Sequence, residues 1–230
     1  LYALRPESEK LLFPLLHEPG AAWTYSVATR VLGDVLCAIT GLGLLDALKD
    51  LILDPLDMND TGFEPRQGQA HPHIMRDNTW QPNDLMSRME FGDGGLISTA
   101  TDYAKFLRCL LNDGAPLISP ATFLQAVSNQ IGDLHVMEQP AANPNLTHPF
   151  PTGSGTDKFG FGFQVHQATE PGMRSPGSYS WCGLLNTYFW GDPVKKVGGI
   201  LLMQVLPLYE PRCLEALHGF EQRLYQMIEG

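Results

Sequence analysis

The apolar positions of this chain change their period near residue 159. Before that point they recur at helical spacing. Val31, Leu32, Val35, Leu36 and Ile39 fall at i, i+3/i+4 and i+7, which predicts an amphipathic helix over about 26–40 closed by Gly41 and Gly43. A second helical segment is expected over 44–53, ending before Asp54-Pro55. Thr99 followed by Asp102 reads as an N-cap with an acidic residue at N3. The apolar spacing of Tyr103, Phe106, Leu107, Leu110 and Leu111 then predicts a helix that stops at Asn112-Asp113-Gly114. Ser119-Pro120 starts another near 120–130. After residue 159 the pattern becomes extended. Phe159, Phe161, Phe163 and Val165 alternate with Gly160, Gly162 and Gln164, which predicts one strand over Phe159–Gln167. Ser178–Cys182, Asn186–Trp190 and Val197–Val205 read as three more, the last as a buried central strand. Pro211 opens a final helix with Leu214, Leu217, Phe220, Leu224 and Tyr225 on one stripe.

Helices, then an antiparallel meander, then a closing helix make the chain α+β. Two regions are expected: a mainly helical one over 1–158 and the strands with their C-terminal helix over 159–230. Residues 1–24 read as irregular, with a short helical piece from Pro6 to Leu12. The stretches 64–92 and 131–158 read as long loops without secondary structure.

Composition narrows the partners. The 230 residues are 43% hydrophobic and 17% charged, with 23 Gly and 18 Pro, as in a loop-rich globular protein. The net charge of −10 and the lack of a basic run argue against nucleic acid and anionic membranes. No run of apolar residues is long enough for a membrane span. Leu1-Tyr2-Ala3-Leu4-Arg5-Pro6 does not read as a signal peptide and resembles the middle of a chain. Cys37, Cys109, Cys182 and Cys213 stand singly, which favours a reducing, cytoplasmic location and leaves a periplasmic one open.

Several motifs carry no chemistry. Gly92-Asp93-Gly94-Gly95 has the look of a serine-protease nucleophile loop but holds no serine, and it lacks the Gly-Lys-Ser/Thr of a phosphate loop. No Gly-x-Ser-x-Gly elbow occurs. His71, His73 and Asp77 are metal-binding types on a polar loop that offers little else. Tyr25 is different. It precedes a predicted helix N-terminus, whose dipole favours an anion. A phenol near pKa 10 needs such help, and a cation besides, to act as a base near neutrality. The competing reading makes Trp23 and Tyr25 core aromatics that pin a loop to a helix.

Three groups of motifs in order tip the balance. They are Pro19-Gly20-x-x-Trp23-x-Tyr25-Ser26 with Asp54-Pro55-Leu56-x-Met58-x-Asp60-Thr61, then Gly94-Gly95-Leu96-x-Ser98-Thr99-x-x-Asp102-Tyr103-x-x-Phe106, then Trp181-Cys182-Gly183 before Thr187-Tyr188-Phe189-Trp190. Together they resemble the C-terminal two-thirds of a serine β-lactamase/penicillin-binding-protein-type hydrolase, most similar to the class C-like family VIII carboxylesterases. The resemblance implies a β-lactamase/transpeptidase-like fold: an antiparallel sheet flanked by helices, plus an all-helical region. It implies that Tyr25 matches the motif base and that Trp181-Cys182-Gly183 matches the third motif. The backbone N–H of Leu184 then serves the oxyanion hole. No cofactor is implied.

Three departures refine what is implied. Val27 stands where β-lactamases carry asparagine, and Trp181 where they carry lysine, so a neutral ester fits better than a lactam. Cys182 replaces a commoner glycine or serine, as a small filler or as a modifiable thiol beside the site. No Ser-x-x-Lys occurs, although the family's nucleophile lies in one upstream of the tyrosine. An N-terminal segment or a second chain is therefore expected to bring it, together with strands that pair with Val197–Val205. The alternatives are a β-lactamase, a D-alanyl peptidase or an acyltransferase on the same scaffold, or a non-catalytic binding protein.

Overall fold

The computed structural model describes residues 16–76, 79–83, 90–151 and 153–229. The helical piece expected at Pro6–Leu12 lies outside them, as does Asp77 of the histidine loop. The first helix, α1 (Ala28–Thr40), ends on Gly41 in the left-handed region (φ 71°), where a residue without Cβ relieves the strain. Helix α2 (Leu44–Leu48) runs into a π-helical turn over Lys49–Leu53, so the second predicted helix is real but changes its winding halfway. Helix α3 (Ala100–Leu111) starts as its sequence dictates, with Thr99 Oγ1 accepting from the Asp102 N–H at 3.2 Å. Helix α4 (Pro120–Ala126) is capped by Ser119 and stops short of the predicted end.

Asp102 explains why two of the motifs occur together. Its side chain is buried, and its Oδ2 accepts from the Asp60 N–H at 2.7 Å and from Thr61 Oγ1 at 3.0 Å. Thr61 Oγ1 also lies 2.8 Å from Ser98 Oγ. These residues join the turn after α2 to the start of α3, and they are scaffold.

The stretch 64–92 is not wholly a loop. It holds a hairpin, β1 (His73–Arg76) and β2 (Thr79–Pro82), with His73 opposite Pro82. The expected strand at Phe159–Gln167 is also corrected. It is two short strands, β3 (Lys158–Phe159) and β4 (Gln164–Val165), folded back antiparallel. The alternating glycines make the turn: Gly162 has φ +87°, and a Cβ on Gly160 would collide with the carbonyl oxygen of Ala126.

Strands β5 (Tyr179–Gly183), β6 (Thr187–Asp192) and β7 (Val197–Leu201) complete a five-stranded antiparallel sheet in the order β3-β4-β5-β6-β7. The apolar run at Val197–Val205 is therefore not one central strand. It breaks after Leu201, and β8 (Val205–Leu206) pairs in parallel with β1 in a second, three-stranded sheet. Among the described residues β7 is an edge.

Alternation along the strands gives the large sheet two faces. Tyr179 and Phe189 meet Phe123 of α4 and Tyr103 of α3. Tyr188 and Trp190 meet the last helix, α5 (Pro211–Glu229), through Leu214, Leu217 and Phe220. Trp190 Nε1 donates to Tyr225 Oη at 3.3 Å, and Tyr225 Oη donates to the buried Asp192 at 3.1 Å. Asp192 also accepts from the backbone of Ser175, Val194 and Lys195, which satisfies a carboxylate that burial would otherwise penalise. Among the described residues no single helix is long and apolar enough to cross a membrane.

Candidate active site

Tyr25 lies on the extended segment before α1, whose N-cap is Val27. The Val27 carbonyl accepts from the Arg30 N–H at 3.0 Å, and the half-buried Val27 makes no side-chain cap. Ser26 Oγ accepts from the Ala28 N–H at 3.2 Å and fixes the turn into the helix. The phenol packs on the indole of Trp181 with ring centroids 5.0 Å apart. The structure thus brings together the first and third motifs, which are far apart in sequence.

Burial raises the pKa of Tyr25, repulsion from Cys182 once ionised and from Asp93 pushes the same way, and the Trp181 indole beside the phenol works against them. Helix α1 begins only at Ala28, three residues beyond the phenol, and no cation among the described residues is one of these influences. Among the described residues the net influence raises the Tyr25 pKa and so favours the neutral phenol.

Trp181 faces Tyr25, while its neighbour Cys182 projects to the other face of the sheet. There it lies opposite Tyr188, with Sγ 3.6 Å from Tyr209 Oη, among residues that pack against α5. Of the two readings of Cys182, a small filler or a modifiable thiol beside the site, this packing against α5 favours the filler. Burial pushes the Cys182 thiol up to about 11, so it carries no thiolate at neutral pH. Gly183 closes β5 opposite Thr187, where a Cβ would strike Thr187 Oγ1. Leu184 follows in the turn, its side chain packed near Tyr188 and Leu208. Among the described residues no acceptor is recorded for the Leu184 N–H.

Further residues reach the site unannounced by any motif. Phe150 packs edge-on against Tyr25 at 5.4 Å, and Phe159 packs against Trp181 at 5.3 Å. Arg30, buried in the first turn of α1, pairs with Asp93 at 2.8 Å and lies 4.0 Å over the Phe91 ring. Gly92 crosses α1 at Gly33, where a Cβ on Gly33 would lie 3.0 Å from Gly92 Cα. The glycine run that lacked a serine therefore seats a loop against the helix that follows Tyr25. Phe159 stood out only as part of an alternating pattern, and no local signal marks Phe150.

A groove of about 510 Å³ opens beside these residues, lined by Leu32, Leu36 and Ile39 of α1 with Leu48, Phe63 and Phe91. The apolar stripe of α1 faces this groove and is largely uncovered: Leu32 is 64% exposed and Ile39 79%.

Comparison with known proteins agrees with this architecture. An uncharacterized protein of Mycobacterium tuberculosis is 28% identical over 84% of this chain and 51% of its own length. The lovastatin esterase of Penicillium rubens is 27% identical over 96% of this chain and 62% of its own length. The chain thus spans between half and two-thirds of the length of these two relatives. Among solved structures, simvastatin synthase of Aspergillus terreus (the LovD6 mutant) superposes with a TM-score of 0.78 at 23% identity. That match covers 99% of this chain and 63% of the other, and it shows a shared β-lactamase/transpeptidase-like fold. The beta-lactamase family model matches residues 12–223, nearly the whole sequence, and the chain belongs to that family.

Proposed function

We propose that this chain forms the larger part of a serine ester hydrolase that works through an acyl-enzyme, with Tyr25 as its proton-transferring base. The observation that carries the reading is the seat of Tyr25 against Trp181, on the strand that leads to the Leu184 N–H, which among the described residues has no backbone acceptor. In this mechanism Tyr25, as the phenolate that the lysine of the Ser-x-x-Lys segment would stabilise, takes the proton of the nucleophilic serine as the serine oxygen attacks the ester carbonyl. The Leu184 N–H donates to the resulting oxyanion. Tyr25 then returns the proton to the departing alcohol, and water releases the acyl group by the same route.

Val27 and Trp181 are apolar where lactam recognition needs an amide and an ammonium, which supports short-chain carboxylic esters as substrates. Proteins similar to this chain include a lovastatin esterase and a monacolin J acid methylbutanoyltransferase. An acceptor alcohol in place of water gives the second outcome on the same scaffold.

The polypeptide carrying Ser-x-x-Lys, whether an N-terminal segment or a second chain, has two places to dock. The groove beside α1 would take an amphipathic helix, and β7, an edge among the described residues, would take strands. Its lysine would supply Tyr25 with a cation. The four cysteines are free, which supports a reducing compartment such as the cytoplasm.

The test is fluorophosphonate labelling of the complete natural polypeptide, with mass spectrometry of the adduct, beside hydrolysis of p-nitrophenyl butyrate. The expected adduct lies on the serine of a Ser-x-x-Lys segment. Tyr25→Phe should lower turnover by roughly 10²–10⁴ with the fold intact. Full turnover in Tyr25→Phe removes Tyr25 as the base, whereas no adduct on folded protein sinks the esterase reading and favours a binding protein.

A further inference from the structure

Tyr25 is the middle ring of a continuous aromatic belt. On one side Trp181 lies 5.0 Å from Tyr25 and 5.3 Å from Phe159, which in turn lies 5.3 Å from Trp23. On the other side Phe150 lies 5.4 Å from Tyr25 and 6.4 Å from Tyr209. The rings come from separate parts of the chain, and backbone bonds hold several of those parts in place. Phe150 and Gln139 exchange hydrogen bonds at 2.7 and 3.2 Å, and the Phe159 carbonyl accepts from the Gln130 N–H at 2.8 Å. Trp181 is fixed by the ladder between β5 and β6. Trp23, Tyr25, Phe150, Phe159 and Trp181 are all only half-buried, unlike the core around Leu107, Phe123 and Tyr179. None of the belt residues is charged.

Returning a proton places the alcohol oxygen of the ester within hydrogen-bond reach of the Tyr25 hydroxyl. The carbon skeleton of that alcohol then meets the rings on either side of the phenol. From this geometry we infer that the belt is a stacking subsite for a planar aromatic leaving alcohol, so the preferred esters are neutral aryl or arylmethyl esters. The inference rests on the reading of Tyr25 as the proton carrier. Each ring contact of this kind is worth roughly a two- to tenfold change in binding.

The experiment uses the complete natural polypeptide with two pairs of probes. 2-Naphthyl butyrate and ethyl butyrate report turnover. The inert amides N-(2-naphthyl)butyramide and N-butylbutyramide report binding, through quenching of the fluorescence of Trp23 and Trp181. The naphthyl amide should bind at least tenfold more tightly than the butyl amide. Phe159→Leu and, independently, Phe150→Leu should each lower the naphthyl-over-ethyl ratio of kcat/KM and weaken the naphthyl amide by two- to tenfold. If one variant fails to fold, the other carries the test. Ring-dependent amide binding without hydrolysis of either ester supports the subsite while removing the esterase reading. Equal binding of the two amides, or an unchanged substrate ratio in the folded variants, overturns the inference.

Discussion

Arg30 occupies a position that helix physics alone disfavours. It stands in the first turn of α1, where the dipole repels a cation, and it is only 7% exposed. Asp93 supplies the reason, with a 2.8 Å ion pair whose side chains are 9% and 11% exposed, and the Phe91 ring covers the guanidinium. In a site this dry, removing one partner costs more than the pair itself contributes, because the other charge stays behind without its counter-ion. Arg30→Ala should therefore destabilise the fold by about 3 kcal/mol. That corresponds to a Tm lower by roughly 5–12 °C for a chain of this size. Arg30→Lys should recover part of the loss by restoring the charge without the planar fork. Differential scanning calorimetry of the two variants decides it, and a Tm within a degree of the parent in Arg30→Ala would show that the pair is ornamental.

At the scale of elements, the site depends on how closely α1 and the loop through Gly92 approach each other. A Cβ on Gly92 would press into the carbonyl oxygen of Thr29 and lie 3.0 Å from Gly33 Cα. These are backbone atoms that cannot rotate away, so the helix or the loop must shift. Gly92→Ala should cost about 2 kcal/mol. Because Tyr25 leads directly into α1, it should also lower kcat for ester hydrolysis. Gly62 has open space around its would-be Cβ and an ordinary φ, so Gly62→Ala should stay within about 0.5 kcal/mol of the parent. Equal denaturant midpoints for the two variants would contradict this account. The same elements show what the sequence could disclose. Thr99 and Ser119 announced their helices because a cap is a local hydrogen bond. The Phe/Gly alternation at 159–165 misled because two strands folded about a tight turn share the period of one long strand. The apolar run at Val197–Val205 hid a transfer between sheets, since both destinations bury the same kind of residue. Tyr25 and Trp181 were legible through the order of the motifs. The Arg30–Asp93 pair and the partnership of Phe150 with Tyr25 join residues far apart in sequence, and no local pattern records such contacts.

For the molecule as a whole, the tyrosines on both faces of the large sheet set a limit in alkali. Tyr103 and Tyr179 lie on the face toward α3 and α4, and Tyr188 and Tyr225 on the face toward α5. Burial raises the pKa of all four above the ordinary phenol value, because a phenolate in these clusters would lose its hydration. Cys182 and Cys213 behave alike, with thiols pushed up to about 11. In the unfolded chain thiols ionise near 8.5 and phenols near 10. Between those values and the raised folded ones, the unfolded state binds fewer protons than the folded state. Stability therefore falls as pH rises, and the contribution is fully present only below the unfolded values. The expected outcome is a flat Tm from neutrality to about pH 8.5, then a progressive decline that steepens above about pH 10. Phenolate absorbance near 295 nm should appear in step with loss of the near-ultraviolet circular dichroism, since these tyrosines ionise chiefly by unfolding. Smooth titration of all the tyrosines near pH 10 with the dichroism intact would mean that water already reaches them, and that the aromatic clusters on the two faces of the sheet are not sealed as described.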